Sequence, residues 1–358
     1  MMVLEMKKIG AFTALSILLC VLLLLSVSCL YPAVEEAPHT SEYPRKSVEM
    51  IAPAGPGSGY DLTIRAVAQC LMDTKLVPVP LPITNKPGGG GIAALEYLNE
   101  HAGADDILAV FSPPICMINL NGSTDLNYDE NSTPIARLIT EYGLFAVRKD
   151  SPYTSINQVM EALKADPKSV RIGGISAPGS MDHIQFLKFA KAAGVQDLHL
   201  IEYIGFQDGT SAAQLLGGHV DLVSTGISDT IGLVESGDVK ALAVTSDKRI
   251  GNNSIIQAIP TCMEQGIPAT FLNWRGIFGP KDMPEYARQY WEQTLEQMVQ
   301  TPEWEETCRR FGWDMEYAGH DEFMAFLDTV NNEYRLLLEE IGVTSKPATS
   351  TVPAGNQP

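Results

Sequence analysis

The chain reads as an α/β protein, and three observations predict it. Short apolar segments of strand length alternate with segments whose apolar residues recur at helical spacing, which argues for sheets covered by helices. Loops of Gly, Ser and Pro separate strand from helix again and again, as at Gly55-Pro56-Gly57-Ser58-Gly59. The composition is globular, 45% hydrophobic and 19% charged, and 358 residues suggest about two domains.

In order, residues 48–51 form an apolar strand that runs into a Pro- and Gly-rich loop and then a helix through Leu71. Such a helix start suits an anion, because its first N–H groups lack intrahelical partners and the peptide dipoles add there. Residues 77–83 are extended and lead to Asn85-Lys86-Pro87-Gly88-Gly89-Gly90-Gly91, followed by a helix over 92–101. Residues 107–111 are a strand, and 135–139 and 144–147 read as two more. Ser155 caps a helix over 155–165. A strand at 170–175 and the loop Ser176-Ala177-Pro178-Gly179-Ser180 open a helix over 181–193.

The spacing then predicts a strand over 199–204, the loop from Gly205 through Gly209 to Thr210, and a helix over 211–216. Strands at 220–224 and 241–245 flank a helix ending near Gly237. A last strand at 271–278 precedes helices over 283–300, 302–311 and 321–341. The sheets are expected to be largely parallel.

The ends read differently. Lys7 and Lys8, the apolar run 9–27 and Ser28-Cys29 describe a secretory signal over residues 1–28, with an uncleaved membrane anchor as the alternative. Leu25-Ser26-Val27-Ser28-Cys29 resembles a lipobox with Ser26 where Leu is usual, so Cys29 is a candidate lipidation site. Either way the chain is expected to work outside the cytoplasm, in the periplasm or on the outer face of the cell membrane. Residues 29–46 suit a tether, and 344–358 a disordered tail.

A formal charge of -18 argues against nucleic acid, which needs a basic surface. Cys70, Cys116, Cys262 and Cys308 lie far apart without a C-x-x-C pair, so no structural zinc is expected. Buried free thiols are expected of them, with disulfides as the alternative. Neither glycine loop carries the Lys-Ser/Thr of a P-loop, and Gly55-Pro56-Gly57-Ser58-Gly59-Tyr60 fails the dinucleotide pattern at its last position. Gly174-Ile175-Ser176-Ala177-Pro178 approaches a nucleophile elbow but ends in Pro. The His residues show no metal spacing, and Asp61, Asp182 and Asp229 are not visibly paired. Binding of a small carboxylate by loop N–H and hydroxyl donors explains more, with no cofactor and no metal. Asp61 is either a cap on its own helix or a receiver of a ligand ammonium or hydroxyl.

Ala52-Pro53-Ala54-Gly55-Pro56-Gly57-Ser58-Gly59-Tyr60-Asp61 with Arg65, the loop 85–91, Pro178-Gly179-Ser180 with His183, Leu215-Leu216-Gly217-Gly218-His219-Val220-Asp221 and residues 239–246 occur in an order that is specific as a set. Over residues 48–343 the chain resembles the solute-binding component of tripartite tricarboxylate transporters, the Bug family of receptors. The resemblance implies a two-lobed periplasmic binding protein fold of type II-like form, with residues 47–145 and 272–343 as one lobe, 146–271 as the other, and two crossing strands as hinge. It also implies a cleft ligand held by Ser58, Gly59, Tyr60, Asp61, Gly89 and Gly90 from the first lobe. From the second would come Ser176, Gly179, Ser180, His183, Tyr203, Gly205, Gly209, Thr210 and Asp229. Tyr60 departs from the Ser or Thr of many members, which puts citrate specificity in doubt. The expected function is capture of a small carboxylate and its delivery to integral membrane permease subunits, without catalysis. The alternatives are a hydrolase acting through Ser176 or Ser180, and an adaptor presenting ligand to a sensor kinase.

Overall fold

Residues 43–206, 210–251 and 254–343 are described by the computed structural model. The expected signal, Cys29, Gly209 and the tail from Thr344 lie outside the described residues.

Strand β1 (Glu49–Ala52) is fully buried over its last three residues and pairs in parallel with β2 (Ile83–Asn85) and β3 (Ile107–Phe111). The helix Gly59–Asp73 covers them, burying Ile64, Val67 and Leu71. Each such side chain contributes about 1.5–3 kcal/mol relative to exposure. Strand β4 (Ser132–Arg148) is 17 residues long. Its first part pairs antiparallel with β9 (Leu272–Pro280), which also borders β3, and with β10 (Asp314–Ala318).

Past Tyr142 the same strand leaves β9 and pairs with β7 (Leu222–Gly226) and β8 (Val239–Val244). Next to β7 stands β5 (Ile172–Gly174), parallel to it and to β6 (Tyr203–Gly205). Among the described residues, ten strands thus form one sheet, eight of them along a single hydrogen-bonded path through β4, with β8 and β10 pairing β4 off that path. Thr245 stitches the crossing. Its hydroxyl accepts the Gly143 N–H at 2.8 Å and donates to the Phe271 carbonyl at 2.9 Å. Gly143 is required there, because a Cβ would overlap the amide of Gln185, which bonds Ser224.

Several expectations need correction. The segments 135–139 and 144–147 are one strand, since Glu141, Tyr142 and Gly143 keep pairing while β4 changes partners. The sheets are mixed rather than largely parallel, because β4, β8, β9 and β10 pair antiparallel. Residues 198–200 form a 3-10 turn, and β6 begins only at Tyr203. The helix Pro114–Leu120 and strand β10 were not expected, the first because Ser112-Pro113-Pro114 reads as a break rather than a helix start. Cys70, Cys116, Cys262 and Cys308 are buried free thiols. No described helix is long and apolar enough to cross a membrane.

Candidate ligand-binding cleft

The first glycine loop is held shut by Asp61. Ser58 caps the helix through its hydroxyl, which accepts the Asp61 N–H at 3.3 Å. The Asp61 carboxylate, almost wholly buried, accepts the Gly57 N–H at 2.9 Å, where Gly57 has φ +82°. It also takes Arg65 Nε and Nη2, each at 2.9 Å, and Asn85 Nδ2 at 2.8 Å. The Arg65 hydrogen bond, with Gly57 and Asn85, holds this carboxyl down to about 2. Its lone pairs are therefore occupied within the protein, which favours the cap over the receiver of a ligand ammonium.

Asn85 ties the second loop to the first, because its amide also donates to the Ala54 carbonyl at 2.8 Å. Beyond it, Gly88 to Gly91 all have positive φ, a run that side chains with a Cβ rarely adopt. Geometry then leaves the N–H groups of Gly59, Tyr60, Gly89 and Gly90 without acceptors among the described residues. Tyr60 closes one side of this patch. Its hydroxyl accepts from Ser112 Oγ at 2.7 Å, and burial pushes its pKa up.

The third loop repeats the device. Asp182 is buried, and its Oδ2 accepts the N–H groups of Ile175 at 2.8 Å and Ser176 at 2.9 Å. Burial nevertheless raises its carboxyl to about 6. His183 Nδ1 accepts the Gly179 N–H at 3.0 Å, its ring stacks on Tyr203 with centroids 4.3 Å apart, and burial lowers it to about 4, so it is neutral. Tyr203 donates to the Ser176 carbonyl at 2.9 Å. Gly205 allows β6 to approach this loop, since a Cβ would overlap that carbonyl.

Ser176, His183, Tyr203 and Gly205 thus form one cluster. Ser180 begins the helix Met181–Ala192 without a side-chain cap bond. Gly179 joins this cluster through its N–H on His183, and a Cβ added there would meet Val343, Leu338 and Asn121. Thr210 stands at the start of the helix Ser211–Leu216.

Asp229 lies in the first turn of the helix Ile227–Glu235. Surrounding protein, together with Asp182 and Glu141, raises its carboxyl to about 6, while Arg275 pulls the other way. Glu141 and Arg275 were not singled out in the sequence. The readable signal was a charged residue amid largely apolar neighbours, Glu141 in 138–147 and Arg275 in 271–278.

Residues 64–343 match the model of the tripartite tricarboxylate transporter family receptor. The chain belongs to this family. A Cupriavidus necator protein encoded in the gbd 5' region is 25% identical over 313 residues, covering 84% of this receptor and 89% of that protein. BugT of Bordetella pertussis is 26% identical, covering 67% of this receptor and 72% of BugT.

Among solved structures, a Rhodopseudomonas palustris protein with adipate is 21% identical and covers 84% of this receptor and 99% of that chain, with a TM-score of 0.71. The periplasmic binding protein BugD is 23% identical and covers 85% and 100%, with a TM-score of 0.68. These structural likenesses establish the periplasmic binding protein fold. The receptor is a solute-binding protein rather than an enzyme. The bonding of Ser176 agrees with this, because its hydroxyl accepts the Asp182 N–H at 2.9 Å and the neutral His183 is bonded to Gly179.

Proposed function

We propose that this receptor captures a small carboxylate in the cleft between its glycine loops and the Ser176 loop. The observation that carries the reading is the patch of N–H groups from Gly59, Tyr60, Gly89 and Gly90, held in register by Asn85 and Asp61. Helix starts of this kind favour anions by roughly 0.3–2 kcal/mol each. Relatives of the same fold support the class, since two Rhodopseudomonas palustris proteins were solved with adipate and with malate.

Residues 47–145 with 272–343 make one lobe and 146–271 the other. β4 and β9 serve as the hinge, and closure is what integral membrane permease subunits read before taking the ligand. The receptor works outside the cytoplasm after removal of residues 1–28, anchored by lipid at Cys29. Ser58, Ser176, Ser180 and Thr210 contribute from the loop walls, and Tyr60 sets which acids fit.

Thermal melting against adipate, malate, citrate, benzoate and glutamate tests the reading. A ligand at 100 times its dissociation constant adds about 2.7 kcal/mol to stability. An unchanged melting temperature with all of them would overturn it.

A further inference from the structure

The chain carries a formal charge of -18, so an anion entering the cleft needs a local source of positive charge. Arg275 on β9 is such a source. It is only 6% exposed, and its Nη2 lies 2.6 Å from the position a Cβ on Gly59 would take. Its guanidinium carbon stands 5.2 Å from the centre of the Tyr60 ring. The cation therefore sits beside the same helix start whose N–H groups are free.

One edge of the guanidinium is held by the protein. Nη2 donates to Glu141 Oε2 at 3.0 Å and Nη1 to Asn273 Oδ1 at 3.1 Å. Glu141 is itself fixed by Trp313 Nε1 at 2.9 Å and Asn273 Nδ2 at 3.3 Å. Three of the five guanidinium N–H groups find no acceptor among the described residues, and the Nε is buried without one. A buried ion pair stabilises a fold poorly compared with apolar packing. Unmet donors make it poorer still. Both features make sense if the group is oriented for a partner that arrives later.

Other cations near the two glycine loops are engaged differently. Arg65 is paired with Asp61, and Lys86 Nζ lies 3.7 Å over the Tyr97 ring.

We propose that Arg275, braced by Glu141 and Asn273, is the cationic anchor for the ligand's carboxylate beside the N–H groups of Gly59 and Tyr60. The inference rests on the carboxylate reading above. It adds a charged, directional contact to a site otherwise built from neutral donors, and it places that contact on β9, one of the two strands proposed to flex.

Calorimetric titration of the mature receptor with adipate, malate and glutamate tests both readings separately. At least one probe binds the wild type, and Arg275→Gln weakens it about 30- to 1000-fold. The double variant Arg275→Gln with Glu141→Gln, which leaves no unpaired buried charge, shows the same loss while melting close to the wild type. Binding by the double variant within about threefold of the wild type would overturn the inference and leave the carboxylate reading standing. Failure of the wild type to bind any probe would overturn both.

Nitrogen-15 NMR gives a readout that does not depend on the variants being well folded for binding. The Nε–H signal absent from Arg275→Lys shifts in the wild type on saturation with the bound probe. A signal that stays in place counts against the anchor.

Discussion

Ser176 and Asp182 hold each other reciprocally: the Ser176 N–H donates to Asp182 Oδ2 at 2.9 Å, and the Asp182 N–H donates to Ser176 Oγ at 2.9 Å. The helix start and the loop before it are locked as one piece. Asp61 does the equivalent for the first loop, through Gly57. The first glycine loop and the Ser176 loop are thus each shaped by a buried carboxylate that bonds loop N–H groups.

Asp182→Ala leaves the N–H groups of Ile175 and Ser176 without an acceptor and costs about 1–3 kcal/mol. Ser176→Ala removes a cap-like bond and a long contact to the Tyr203 hydroxyl and costs about 0.5–2 kcal/mol. Urea unfolding of the two variants checks the order. The pH sense follows from the raised carboxyl, about 6 against a usual 3.8. The folded state holds this proton more tightly than the unfolded chain, so this group's contribution to stability is greatest below about pH 4 and falls as pH rises toward about 6. Asp182→Asn removes that slope.

Asp61 titrates in the opposite sense. Its carboxyl is held down to about 2 from 3.8, so its stabilisation is present above about pH 4 and is lost as pH falls toward about 2. Asp61→Ala frees the Gly57 N–H and the Asn85 amide, costs about 1–3 kcal/mol at neutral pH, and loses this acid-side slope. Melting temperatures measured across the acid range compare the two proteins directly.

If Asp229 lines the proposed site, carboxylate binding depends on pH. Its carboxyl, raised to about 6, is neutral below that value and negative above it, while dicarboxylates are ionised throughout most of the range. In the proposed site, affinity for a carboxylate probe therefore falls between about pH 5 and about pH 8, as the Asp229 charge develops, and Asp229→Asn flattens the profile. Parallel profiles in calorimetry would remove Asp229 from the cleft wall.

Two glycines separate close backbone approach from ordinary helix propensity. Gly205→Ala drives a Cβ into the Ser176 carbonyl and costs about 1–3 kcal/mol. Gly232→Ala, in the helix Ile227–Glu235 with nothing near the new Cβ, stabilises by about 0.5–1 kcal/mol. Chemical denaturation of the pair should move the midpoints in opposite directions.

Local chemistry settled much of this protein. The strand Ile107–Phe111 and the helices Ser211–Leu216 and Pro302–Phe311 were legible to the residue, because apolar periodicity, like the Ser155 cap on Ile156–Ala165, is a property of a few neighbouring side chains. The glycine loops were legible too, since only Gly tolerates the run of positive φ from Gly88 to Gly91.

What only tertiary structure decided lies between distant segments. That β4 is one strand serving two sets of partners depends on Thr245 and Phe271, which lie more than a hundred residues along the chain from Gly143. That Asp61 and Asp182 face inward depends on where loop N–H groups point. Arg275 reaches Gly59 only because β9 lies beside β4, with Glu141 directly across from Asn273. Spacing along a chain encodes which face of an element a residue occupies, but the charge that meets that face comes from another element, and its position follows from packing.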